Sequence, residues 1–154
     1  MNGNELEIEV TSVIENHGWD ALSSVCATLK EKVPHYQWVG IYWMNNQEQA
    51  LYLGPFAGAE TEHTRIPYGR GICGQVAQSG TSFEVPDVWA QDNYLACSLE
   101  TKSELVVPIY CGTRLIGQID IDSHFVDPFS PADHELLEAL ANAIGAMSEA
   151  ATIG

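Results

Sequence analysis

Asp120 and Asp122 stand two residues apart in the run Arg114-Leu115-Ile116-Gly117-Gln118-Ile119-Asp120-Ile121-Asp122-Ser123. Side chains alternate along an extended chain, so Ile119 and Ile121 share one face while Gln118, Asp120 and Asp122 share the other. The isoleucines anchor such a strand in a core. The two carboxylates then lie roughly 7 Å apart along the opposite face. Facing open water they are ordinary solubilising charges. Roofed by chain they repel one another, burial disfavours their ionised forms, and at least one keeps its proton near neutrality. A covered strand of this kind is a proton donor.

The segment from Arg65 to Glu104 is the candidate roof. It holds Arg65-Ile66-Pro67-Tyr68-Gly69-Arg70-Gly71-Ile72-Cys73-Gly74, Pro86-Asp87-Val88, Tyr94-Leu95-Ala96-Cys97-Ser98 and Lys102-Ser103-Glu104. It is rich in turn formers and carries Cys73 and Cys97, two of the chain's 4 cysteines. A long connection between sheet strands is usually functional, because ordering it without a role is costly.

The elements that must position these groups follow from periodicity. Residues 20–33 read as a helix with Leu22, Val25, Cys26, Leu29 and Val33 on one stripe, and Pro34 ends it. Cys26 within that stripe reads as a small buried hydrophobe. Leu6, Val10, Val13 and Ile14 suggest a short N-terminal helix. Tyr36 to Met44 reads as a strand with Val39, Ile41 and Trp43 on one face and Trp38, Gly40, Tyr42 and Met44 on the other. Asn45-Asn46-Gln47 turns the chain into a returning strand, Ala50 to Leu53. A short helix is expected over Gly71–Ala77 and a strand over Ser82–Val88. Leu105–Tyr110 and Arg114–Asp122 form a hairpin across Cys111-Gly112-Thr113. Ser130 as N-cap, Pro131 at the first helical position and Asp133 three residues after the cap open a closing helix. Its buried stripe is Leu136, Leu137, Leu140, Ile144 and Met147. The order predicts an α+β fold over residues 1–154: an antiparallel sheet with terminal helices on one face and long loops on the other.

Bulk properties narrow the function. With 154 residues and 45% apolar content the chain is expected to form a single domain with a substantial core. The net charge of −15 argues against nucleic-acid and anionic-membrane partners. No apolar run is long enough to span a bilayer. The polar, acidic start of the chain predicts no secretory signal, which makes a cytoplasmic protein with reduced thiols the expectation. No Cys-x-x-Cys pair is present, so no structural zinc site is expected. His17, His35, His124 and His134 show no metal-ligand spacing.

Trp38-Val39-Gly40-Ile41-Tyr42, Leu53-Gly54-Pro55-Phe56, the Arg65–Gly74 run, Pro86-Asp87-Val88, Ala96-Cys97, Ser103-Glu104 and Asp120-Ile121-Asp122-Ser123 occur in this order. With their spacing they resemble the free methionine-R-sulfoxide reductases, which are stand-alone GAF domains. The likeness covers about residues 36 to 130. It implies that Cys97 is the nucleophile, that Glu104, Asp120 and Asp122 are active-site carboxylates, and that Trp38 and Tyr42 wall the substrate pocket. It also matches Cys73 to a second family cysteine. Two positions depart from the pattern. His63 replaces the family's resolving cysteine, ten residues before Cys73, and Ser98 follows the nucleophile where aspartate is usual.

The resemblance implies reduction of free methionine-R-sulfoxide in the cytoplasm, as a defence against oxidative stress. Cys97 would attack sulfur as a thiolate, and a protonated carboxyl would donate to the departing oxygen. The ionised carboxylates would bind the ammonium group. Cys73 would close a disulfide with the oxidised Cys97, reducible by thioredoxin, with no bound cofactor. A homodimer remains open. Taken singly the same residues have quieter readings: Cys97 an incidental thiol, Cys73 a packing residue, Trp38 and Tyr42 core, the carboxylates solvated charges. Two other classes stay open: a GAF sensor that binds a small ligand without turnover, and a thiol redox switch that ignores the carboxylates.

Overall fold

The computed structural model describes residues 3–90 and 100–153. Cys97 and Ser98 lie outside the described residues.

Two helices open the chain. α1 (Gly3–His17) is longer than the short helix expected, and Leu6, Val10 and Ile14 are buried at four-residue spacing. A 3₁₀ turn, Gly18–Ala21, leads into α2 (Leu22–Lys32), which buries Leu22, Val25, Cys26 and Leu29 as the periodicity requires. Val33 is extended, as a residue preceding proline prefers to be, and the helix stops there.

The strands are β1 (Trp38–Asn45), β2 (Ala50–Ala57), β3 (Arg65–Pro67), β4 (Phe83–Val85), β5 (Ser103–Cys111) and β6 (Arg114–Ser123). They form one antiparallel sheet in the order β3-β2-β1-β6-β5-β4. β3 was not foreseen as a strand; it comes from the turn-rich segment and pairs with the near end of β2. β4 is shorter than the strand expected over Ser82–Val88. Pro86 has no N–H to continue the ladder, and Val88–Ala90 turn into a 3₁₀ segment.

Alternation assigns the two faces. Val39, Ile41, Leu105, Val107, Ile109, Ile119 and Ile121 share a core with α1, α2 and α4 (Pro131–Gly145). Trp38, Tyr42, Met44 and Val106 point the other way and pack with Ile72, Cys73, Val76 and Ala77 of α3 (Gly71–Ser79). The terminal helices thus cover one face, as expected, and the roof on the other contains a helix as well as loops. At the start of α4 the Ser130 backbone N–H donates to Asp133 Oδ2 at 2.8 Å. Asp133 also accepts from the Tyr36 hydroxyl at 2.7 Å, tying the cap to the chain just before β1. Among the described residues no helix is long and apolar enough to cross a membrane.

α3 sits tightly on the turn before it. The Gly69 N–H donates to the Gly74 carbonyl at 2.8 Å, and a Cβ at Gly74 would meet Pro67 O at 2.7 Å and Gly69 N at 3.0 Å. Those are backbone atoms and cannot swing aside. Gly74→Ala is therefore expected to lift α3 and destabilise the fold by about 1–3 kcal/mol. Denaturant unfolding reads this as a lower midpoint at unchanged slope; an unchanged midpoint would mean that the roof re-seats without strain.

Candidate active site

Register places the carboxylates. Glu104 of β5 pairs directly with Asp122 of β6, and Asp122 pairs on its other side with Trp38 of β1. Two residues along β6, Asp120 stands between Val106 and Gly40. Glu104, Asp120 and Asp122 are 4%, 1% and 1% exposed, on the face roofed by α3. Charged side chains are rarely this buried unless paired or functional.

The first turn of α3 brings a thiol onto this row. The Cys73 Sγ–H donates to Glu104 Oε2 at 3.8 Å. Gln118, buried on the same face of β6, donates its Nε2–H to the Cys73 carbonyl at 3.0 Å and pins the helix to the strand. Sulfur and oxygen atoms of Cys73, Glu104 and Asp120 all lie within 4.8 Å of one another. These three residues, with Tyr42, His63, Ile66 and Arg70, line a cavity of about 10 Å³. That space is on the scale of one water.

Burial favours a proton on the cluster. Burial pushes the Glu104 carboxyl well above the usual carboxylate range, the charges of Asp120 and Asp122 add to this, and a hydrogen bond to Asp120 favours the protonated form further. Asp120 is also raised by burial, but the hydrogen bonds from Glu104 and Cys73 and the nearby charge of His63 oppose the shift. Glu104 is thus the acid of the pair and Asp120 its acceptor. The Asp120 Oδ1 atom has no hydrogen-bond partner among the described residues.

The aromatic residues divide. Tyr42 reaches the cavity, and its hydroxyl donates to the His63 carbonyl at 2.8 Å, fixing the loop that carries His63. Trp38 lies in the same apolar cluster beside Asp122, stacked on Phe56 at 5.6 Å, with its indole N–H given to the Ala59 carbonyl at 3.0 Å. Gly40 leaves the room over which the Trp38 ring folds. Cys73, Glu104, Asp120 and Tyr42 therefore meet at one cavity, and Asp122 and Trp38 occupy the adjoining row. Cys97 lies outside the described residues. Gln118 and Arg70 received no role from sequence reasoning, although alternation had already put Gln118 on the face of the two aspartates. Burial pushes the Cys26 thiol up to about 12, in keeping with a packing role.

Comparison with known proteins gives the class and then the family. Residues 20–147 match the GAF domain. The free methionine-R-sulfoxide reductase of Saccharomyces cerevisiae is 37% identical over 127 residues, 81% of this chain and 70% of that protein. The enzyme of the same name from Escherichia coli is 34% identical over 119 residues, 77% of this chain and 70% of that one. The X-ray structure of free methionine-R-sulfoxide reductase from Neisseria meningitidis in complex with its substrate superimposes with a TM-score of 0.85 at 36% identity, covering 96% of this chain and 91% of that one. The chain belongs to the free methionine-R-sulfoxide reductase family of GAF domain proteins.

Proposed function

We propose that this chain, working as one GAF domain over residues 1–154, reduces free L-methionine-R-sulfoxide to methionine. The observation that carries the reading is the buried Glu104 carboxyl, set beside Asp120 and beneath the Cys73 thiol where burial favours its protonated form, in a member of this family. In this reading the Cys97 thiolate attacks the sulfoxide sulfur while Glu104 gives its proton to the oxygen. The oxygen passes to Cys97 as a sulfenic acid and methionine leaves. Cys73 then condenses with the sulfenic acid, releasing water and forming a disulfide, and a dithiol such as thioredoxin reduces it by exchange. No bound cofactor takes part.

The ionised carboxylates Asp120 and Asp122 bind the ammonium group, and Trp38 and Tyr42 enclose the methyl end. The substrate is larger than the cavity beside Glu104, so the reading requires the walls to part on binding. His63 cannot serve as a resolving thiol, which leaves Cys73 as the internal candidate. Reduced thiols point to a reducing compartment such as the cytoplasm.

The test is single-turnover reduction of free methionine-R-sulfoxide by pre-reduced protein, with free thiols counted before and after. One methionine per chain with two thiols consumed is the expected result. One methionine with one thiol consumed would keep the reductase and assign resolution to an external thiol. No methionine from folded protein would overturn the assignment and favour a domain that binds without turnover.

A further inference from the structure

We infer that Cys73, Glu104 and Asp120 form a site for a borderline-soft divalent cation of the zinc class. The spacing rule for cysteine pairs cannot detect it, because the donors come from α3, β5 and β6 and meet only in the fold. Four observations carry the inference. The sulfur and the two carboxylate oxygens lie within 4.8 Å of one another, and all three residues are buried. They line one cavity of about 10 Å³, a space for a single small occupant. Asp120 Oδ1, on a side chain 1% exposed, lacks a hydrogen-bond partner among the described residues. His63 lines the same cavity with its ring close enough to act electrostatically on Asp120, which sets a fourth ligand-type side chain beside the three.

The chemistry of the donor set selects the metal. Zinc binds thiolate at ~2.3 Å and carboxylate or imidazole at ~2.0–2.2 Å, which sets donor atoms around a tetrahedral ion about 3.3–3.8 Å apart. The present cluster needs to contract by about 1 Å to reach that spacing. One thiolate excludes hard cations such as magnesium and calcium as preferred occupants, and one sulfur among oxygen and nitrogen donors suits zinc and cobalt. A dication also relieves the mutual repulsion of the buried carboxylates, adding to the charge that His63 sets near Asp120. The site does not depend on the reductase reading. If that reading holds, an ion here occupies the proton-donating pair and acts as an inhibitor.

The experiment is titration of the full-length, reduced, metal-free protein with Co²⁺, followed by optical absorption, and with Zn²⁺, followed by equilibrium dialysis. One equivalent of Co²⁺ is expected, with a thiolate-to-cobalt charge-transfer band that Zn²⁺ displaces. Cys73→Ser should abolish the band. Glu104→Gln and His63→Ala should keep it and weaken affinity at least ~10-fold, the scale on which even supporting groups around a metal act. Circular dichroism confirms that each variant is folded. A band that survives Cys73→Ser and disappears in Cys97→Ser would place the metal elsewhere and overturn the site. Folded, reduced wild-type protein that binds no metal would overturn it as well. Both readouts are independent of turnover, so a failed reductase assay leaves this test intact.

Discussion

Exchanging Glu104 for glutamine is expected to slow methionine formation by about 10²–10⁴-fold, the range that general acid catalysis supplies, while making the fold more resistant to denaturant at neutral and alkaline pH. The two effects share a cause. Glu104 is held protonated by burial and by the charges of Asp120 and Asp122. In the unfolded chain the same carboxyl releases its proton near pH ~4.3. Below that value both states are protonated, and the stability Glu104 contributes is fully present. As the pH rises towards and through the raised folded-state value, the unfolded state binds fewer protons than the native state, and stability falls. Asp120, also raised, pulls in the same direction. Glutamine has nothing to release, so the advantage of the variant should widen from about pH 4.3 upward. Urea unfolding of both proteins across this range, beside single-turnover rates, checks both halves. Parallel pH profiles would mean that Glu104 is not the residue holding the proton.

The second large effect separates the two cysteines. Cys97→Ser should yield no methionine above background, a loss of at least ~10³-fold in keeping with removal of a nucleophile. Cys73→Ser should still yield one methionine per chain in a single turnover, because it removes the second step and spares the first. It should consume one thiol rather than two, and thioredoxin-driven steady-state turnover should collapse. Serine retains a donor for Glu104, so the site around it is preserved. Cys26 will stay silent in the native thiol count, since its thiol is buried and pushed up to about 12. Asp122→Asn adds a control: a redox switch that ignores the carboxylates requires it to behave as wild type, whereas the reductase requires impaired turnover.

Much of this arrangement is legible in the linear chain, for particular reasons. Alternation in Arg114–Ser123 assigns Ile119 and Ile121 to one core and Gln118, Asp120 and Asp122 to the other face, because period-two patterning shows wherever one face of a strand is apolar and the other polar. Ser130, Pro131 and Asp133 announce α4 because capping is local chemistry. What is not legible depends on pairing across distance. β3 is too short to carry a period, and only its register with β2 makes it a strand. The upward shift of the Glu104 carboxyl follows from its burial, from a diagonal neighbour, Asp120, and from a cross-strand one, Asp122, which sequence spacing does not specify. The resemblance to the family supplied Glu104, while Gln118's bond to the Cys73 carbonyl emerged only in three dimensions.

The sheet also acts as a partition between inheritance and innovation. The core of α1, α2 and α4 meets one side, and the carboxylates, α3 and His63 occupy the other. Residues in separate, non-touching clusters alter stability nearly independently. Substitutions on the roof side can therefore change ligand and chemistry while leaving the packing of α1, α2 and α4 on the far side intact. His63, on the wall of the cavity beneath that roof, is one position where such a change would act.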